Sequence, residues 1–349
     1  MRPRFFVSIG ALAILVSVVS LVPTSMAAQA AKSTTTKSTA EKTWAVPRTP
    51  DGRPDLQGVW DFRTITPLQR PKALGNKKVL SAEEAARFEE QENTRQNRDL
   101  MDLEKGPGSV YPKGGVVPYN EFWYDRGNKL IDRRTSLIVD PPDGRLPPWT
   151  PEGERRAAAR EAENRDSQGE HPHADSYEDL PLSVRCIIGF NAGPPMTPGA
   201  YNNNMQLFQT VDNVAILNEM IHAARIIPLD GRPRLKIRQV LGEPLGHWAG
   251  DTLVVESSNF AQETSLSGST SSMQLVERFT RVGPDSLLYE FTVNDPAAWT
   301  RPWTAQVKMT KSELPIYEYA CHEGNYGLVG ILLGARAQDA AATAAAPKR

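Results

Sequence analysis

From Tyr201 to Asn325, apolar and polar residues alternate over short runs separated by turn signals, the period of half-buried β-strands. The runs are Met205 to Gln209, Val214 to Ile227, Lys236 to Val240, His247 to Glu256, Met273 to Arg281, Ser286 to Asp295, Thr304 to Thr310 and Ile316 to Cys321. Turns fall at Asp212-Asn213, Asp230-Gly231, Ala249-Gly250-Asp251, Gly283-Pro284-Asp285 and near Pro296. Consecutive short strands with tight connections predict an antiparallel up-and-down β-barrel, with a flattened β-sandwich as the second solution. Acidic residues interrupt the apolar rows, so the interior is expected to be polar: a carboxylate in such a row needs a proton, a partner or a ligand.

The preceding half reads differently. Thr49 to Pro54 is a turn cluster leading into a short strand, Leu56 to Phe62. Its Gly58-Val-Trp60 resembles the opening of lipocalin-like barrels, in which a tryptophan closes one end. Ser81-Ala-Glu-Glu84 is a capping box that opens a helix running to about Arg98. Asn120 to Tyr124 is an aromatic cluster, and Arg134 to Val139 reads as a strand ending at Asp140-Pro-Pro-Asp-Gly144. Thr150, with Pro151 at the first helical position, starts a second helix over Glu154 to about Glu163. Asp166 to Glu178 lacks periodicity and reads as an exposed loop; its His171-x-His173 could bind a metal, but no ordering motif accompanies it. The fold class is thus mainly β: an antiparallel lipocalin-like β-barrel with a helical and irregular N-terminal extension.

Arg2 and Arg4 precede an apolar run from Phe5 to about Val22, and Ala28-Gln29-Ala30 completes a secretory signal. The expected organisation is a signal peptide at 1–30, a flexible leader at 31–43, an irregular region with the first strand and two helices at 44–185, the barrel at 186–335 and a disordered tail at 336–349. A periplasmic or secreted protein follows, with no stable membrane insertion after cleavage. The net charge of -1 provides no basic field for nucleic acid. In an oxidising compartment Cys186 and Cys321 read economically as a disulfide, two buried thiols being the alternative.

Candidate chemistry follows from the faces. In Leu275-Glu277-Phe279 a carboxylate stands between apolar neighbours at period two, and Leu217-Glu219-Ile221 repeats this, with Arg225 further along. Glu219 and Glu277 with His222 and His322 could supply a general acid and base. The competing reading makes the two glutamates structural ion pairs with Arg225 and Arg278 or Arg281. Trp299 and Trp303, around Arg301, suit stacking on an aromatic or sugar ring, while Asn203, Arg225 and Glu323 offer polar contacts to a small organic ligand or substrate. No cofactor is expected. A divalent metal stays open, because His222, His247, Asp251, His322 and Glu323 are ligand types without an ordering motif.

Asp55 to Trp60, Arg134 to Arg145, Gly199 to Asn204, Glu219 to His222, Ala224 to Arg232, Trp248 to Glu256 and Tyr319 to Asn325 together resemble a family of secreted proteins of unassigned function from soil bacteria. That resemblance implies export and a shared architecture. Two functions are carried forward: an exported enzyme using acid–base chemistry (lyase, isomerase or hydrolase) in a polar barrel cavity, and a periplasmic binding protein for an aromatic or glycosidic ligand. A structural role in the envelope is a third.

Overall fold

A computed structural model of the protein describes residues 44–100, 120–167, 174–262, 266 and 268–345. The expected signal and leader, and His171 and His173, lie outside the described residues. In chain order the elements are β1 (Gly58–Asp61), α1 (Ala82–Gln96), β2 (Ile138–Asp140), α2 (Pro151–Ser167), β3 (Asn204–Gln209), β4 (Asn213–Asn218), β5 (Ala224–Pro228), β6 (Glu243–Ala249), β7 (Thr252–Ser258), β8 (Gln274–Gly283), β9 (Ser286–Asn294), β10 (Trp303–Ser312) and α3 (Tyr326–Ala345).

The strands form one ten-stranded sheet in the order β5-β4-β3-β1-β10-β9-β8-β7-β6, with β2 pairing to β10 beside that path. Every pairing is antiparallel. The chain is therefore mainly β, but the sheet is not closed into a barrel: β5 and β6 end it without pairing to each other. These two ends approach through side chains. A Cβ on Gly246 of β6 would sit 2.6 Å from Leu229 Cδ2 and 2.8 Å from Ile227 Cγ2, so the approach requires glycine there.

Several expected boundaries change, each for a local reason. Val214 to Ile227 is a hairpin, because Ile221 and His222 adopt φ of 57° and 46° and reverse the chain between β4 and β5. His247 to Glu256 is likewise two strands, turned at Gly250 with φ of 60°. Lys236 to Val240 is not a strand and contributes only an isolated bridge from Gln239 to Phe260. Ile316 to Cys321 is also irregular, and residues 336–345 of the expected tail belong to α3, the rest of that tail lying outside the described residues. The stretch Tyr326–Ala345 lacks proline and is rich in Ala and Leu, so its propensity favours a helix even though its outer face is apolar.

The interior is filled largely by apolar side chains around a buried polar set, Arg225, Glu277 and Tyr289. Trp60, Phe62, Phe279, Tyr289, Phe291, Trp303 and Met309 all point inward with almost no solvent exposure. Each such large side chain stabilises the fold by roughly 1.5–3 kcal/mol through burial. Trp60 donates its indole N–H to Leu56 O at 2.8 Å, and the Arg281 guanidinium lies 5.7 Å from its ring centroid. Outside the sheet α1 starts at the predicted capping box: Ser81 Oγ accepts from Glu84 N at 3.2 Å and Glu84 Oε2 accepts from Ser81 N at 2.8 Å. Its buried Ala85 packs with Ile65, Leu80 and Leu130 in a small second core.

Candidate functional site

Glu277 lies on β8 and points inward with Leu275 and Phe279, as period two predicts. Across the interior Arg225 of β5 grips it with two bonds, Nη1 to Oε2 at 2.6 Å and Nη2 to Oε1 at 2.9 Å. Tyr289 of β9 donates its hydroxyl to Glu277 Oε1 at 2.7 Å and accepts the Met196 N–H at 3.1 Å. The ion pair's side chains are 3% and 0% exposed. Burial opposes the Arg225 charge, yet Glu277 outweighs it and the guanidinium titrates above its ordinary value. Burial first, then the Glu277 charge, raises the Tyr289 phenol well above its usual range. Glu277 is thus the structural ion pair that the residue pattern left open, with both oxygens engaged. Arg225 belongs to that pair rather than to a ligand site.

The other expected site residues are distributed elsewhere. Glu219 is buried at the β4–β5 reversal, not on a strand, and accepts from Asn204 Nδ2 at 2.7 Å. His222 is exposed at the same reversal, and its Nε2 accepts the Tyr319 N–H at 3.0 Å. His322 and Glu323 are exposed in a turn that follows the disulfide. The two histidines therefore lie at the surface and Glu277 in the core, so the four expected catalytic residues do not share one cavity. Asn203 is fully buried: its Oδ1 accepts from Gly199 N at 2.7 Å and its Nδ2 donates to Asp125 O at 2.9 Å. It clamps two loops and presents no free group to a ligand. Trp299 and Trp303 are core residues; Trp299 stacks on Trp149 at 5.1 Å between centroids and meets Trp303 edge-on at 5.7 Å. The expected stacking platform is thus structural.

Cys186 and Cys321 are joined by a disulfide with a Cα separation of 5.8 Å. It anchors an irregular segment and the start of α3, where Asn325 Nδ2 donates to Val184 O at 2.8 Å. Among the described residues no group of three or more His, Cys, Asp or Glu side chains is placed to hold a metal ion.

An open cleft of about 730 Å³ lies in the N-terminal half, lined by Asp61, Arg63, Asn93, Glu121, Asp125 and Arg126 among others. Alternation along β1 builds one wall: Trp60 and Phe62 enter the core, so Asp61 and Arg63 face outward. Arg63 donates Nε to Asp61 Oδ2 at 2.7 Å and Nη1 to Asp125. The bond from Asp61 first, against some burial, raises the Arg63 pKa above its ordinary value, with Asp125 adding to it. Glu121, the first residue of a 3-10 turn at Glu121–Trp123, and Tyr124 after it also line the cleft. Glu121 Oε1 accepts from Arg126 Nη1 at 2.6 Å, and the Arg126 guanidinium lies 4.4 Å from the Tyr124 ring centroid. Arg126 Nη2 has no hydrogen-bond partner among the described residues. The same turn exposes Phe122 and Trp123, 84% and 64% accessible, packed edge to face.

The residue pattern marked 120–124 only as an aromatic cluster. The available signal was the charge around those rings, Glu121 before them and Asp125-Arg126 after. No protein-family model, curated protein or solved structure matches the chain.

Proposed function

We propose that the protein is an exported binding protein for a neutral glycosidic ligand, held in the cleft between Asp61 and Arg126. The observation that carries this reading is the charge balance of the lining: Asp61, Glu121 and Asp125 face Arg63, Arg126 and Lys129. Fixed carboxylates and guanidiniums present acceptors and donors in planar pairs, which suits vicinal hydroxyls, while the balance disfavours a strongly charged ligand. Pairing of Arg63 with Asp61 and Asp125, and of Arg126 with Glu121, preorganises these groups before a ligand arrives, which lowers the ordering cost of binding. Phe122 and Trp123, exposed beside Glu121, offer apolar ring faces of the kind that stack on pyranose rings. In this reading the sheet is a lipocalin-like scaffold, filled inside, that carries its ligand on its outer surface in the periplasm or after secretion. Acid–base catalysis by Glu219, His222, Glu277 and His322 is less well supported, because Glu277 is engaged in the core and both histidines are exposed.

Titration calorimetry of the mature chain against neutral oligosaccharides tests the proposal. Saturable binding that is lost in Trp123→Ala and in Arg126→Gln, with the fold retained by circular dichroism, supports it. Absence of binding across neutral oligosaccharides, or binding that both variants leave intact, overturns it.

A further inference from the structure

Away from the cleft, Arg70 and Arg145 lie near one another, and neither forms an ion pair among the described residues. Arg70 is only 4% exposed, yet its side chain reaches neutral acceptors alone. Its Nε donates to Thr135 Oγ1 at 2.8 Å and its Nη1 to Asp143 O at 2.7 Å and Pro142 O at 3.5 Å. Its Nη2 meets no acceptor among the described residues and is not sealed from solvent. Arg145 lies beside it, donates Nη2 to Gly75 O at 3.3 Å and keeps a buried Nε with no partner among the described residues. Burial, and then the Arg145 charge, hold the Arg70 pKa below its ordinary value, with Asp143 acting weakly the other way.

The surroundings are rigidly built. Arg70 N donates to Gly144 O at 2.7 Å, Gly144 N to Pro141 O at 2.9 Å and Leu146 N to Gln69 Oε1 at 3.0 Å, which stitches the two loops together. Gly144, at φ of 72°, lets the backbone pack closely on the guanidinium: a Cβ there would be 2.4 Å from Ser136 Oγ and 2.8 Å from Arg70 Nη2, so the approach requires glycine. Lys72 and Lys78 stand exposed on the same loop, and Lys77 is occupied by Glu84 at 2.5 Å. The Asp143 carboxylate accepts the Arg145 backbone N–H at 3.1 Å and forms no ion pair with either guanidinium. Two adjacent cations with spare donors, one of them buried, are costly unless an anion compensates them.

We propose that Arg70 and Arg145 form a binding site for the oxyanion of a phosphate or sulfate. The planar forks suit tetrahedral oxyanions, which accept several N–H groups at once. The site shares no residue with the cleft and stands whether or not a sugar binds there.

Calorimetry of the mature chain with inorganic phosphate and with sulfate, against chloride at equal ionic strength, tests it. Vesicles of phosphatidylglycerol, against phosphatidylcholine, form a second arm. Saturable phosphate or sulfate binding, weakened roughly tenfold or more in Arg145→Gln, supports the site with a free anion as its source, since one charge-assisted bond is worth at least that factor. Vesicle binding without free-anion binding, lost in the same variant, supports it with a lipid headgroup as the source. A response that chloride reproduces, or that Arg145→Gln leaves unchanged while the variant stays folded, overturns it. Lys78→Gln, further out on the loop, is expected to weaken binding less than Arg145→Gln does.

Discussion

The same chemistry, an arginine against carboxylates, occurs twice in this protein with opposite consequences. Arg225 and Glu277 meet in the interior at 3% and 0% side-chain exposure, with Tyr289 completing the set. Arg63 meets Asp61 and Asp125 at the cleft with 40% side-chain exposure. Desolvation dominates inside, so removing one partner strands a charge, although the intact pair contributes little beyond what apolar side chains of the same volume would. At the cleft water screens each pair, so little stability depends on it and the groups stay available to a ligand. Pairing therefore indicates function poorly until burial is known.

The largest expected effect breaks the inner set. Glu277→Gln should destabilise the protein by about 3–5 kcal/mol, because Arg225 is left charged and buried. Urea unfolding measures it, and a loss below about 1 kcal/mol would show that the pair is not held as described. Replacing both partners, Arg225→Met with Glu277→Leu, should recover most of that loss, since the stranded charge is gone.

The next effect is on alkaline stability. Tyr289 has a folded-state pKa above its unfolded value of about 10, so the stability it contributes is complete below that pH and lost above it, where the unfolded chain releases its proton first. Stability should fall by up to about 1.4 kcal/mol per pH unit beyond about pH 10, and the difference between wild type and Tyr289→Phe isolates that slope.

The smallest effects belong to the cleft. Arg63→Gln and Asp125→Asn should each change stability by less than about 1 kcal/mol. They should nevertheless weaken oligosaccharide binding in the same titrations; a stability loss as large as that of Glu277→Gln would erase the contrast between the two regions.

Much of the local structure was legible in the residue pattern, for identifiable reasons. The capping box at Ser81 and Glu84 involves neighbours three residues apart, so their identities suffice to start α1. Alternation along β8 and β9 directs Glu277, Tyr289 and Phe291 inward because side-chain direction follows the pleat. The hairpin at Ile221 and His222 was not legible, since neither residue favours positive φ and the surrounding packing imposes it. The cleft escaped notice for another reason: its walls come from β1, α1 and the 121–129 segment, which the chain order separates.

By itself the sequence determined the period along strands such as β8 and β9, the starts of α1 and α2 and the inward direction of a lone glutamate, because these depend on bonded geometry and near neighbours. Only the tertiary structure decided that Arg225, 52 residues away, would meet that glutamate, that the interior would be filled, and that Asp61 and Glu121 would share a cleft. Those outcomes depend on which surfaces the whole chain can bury together, and no local pattern carries that information.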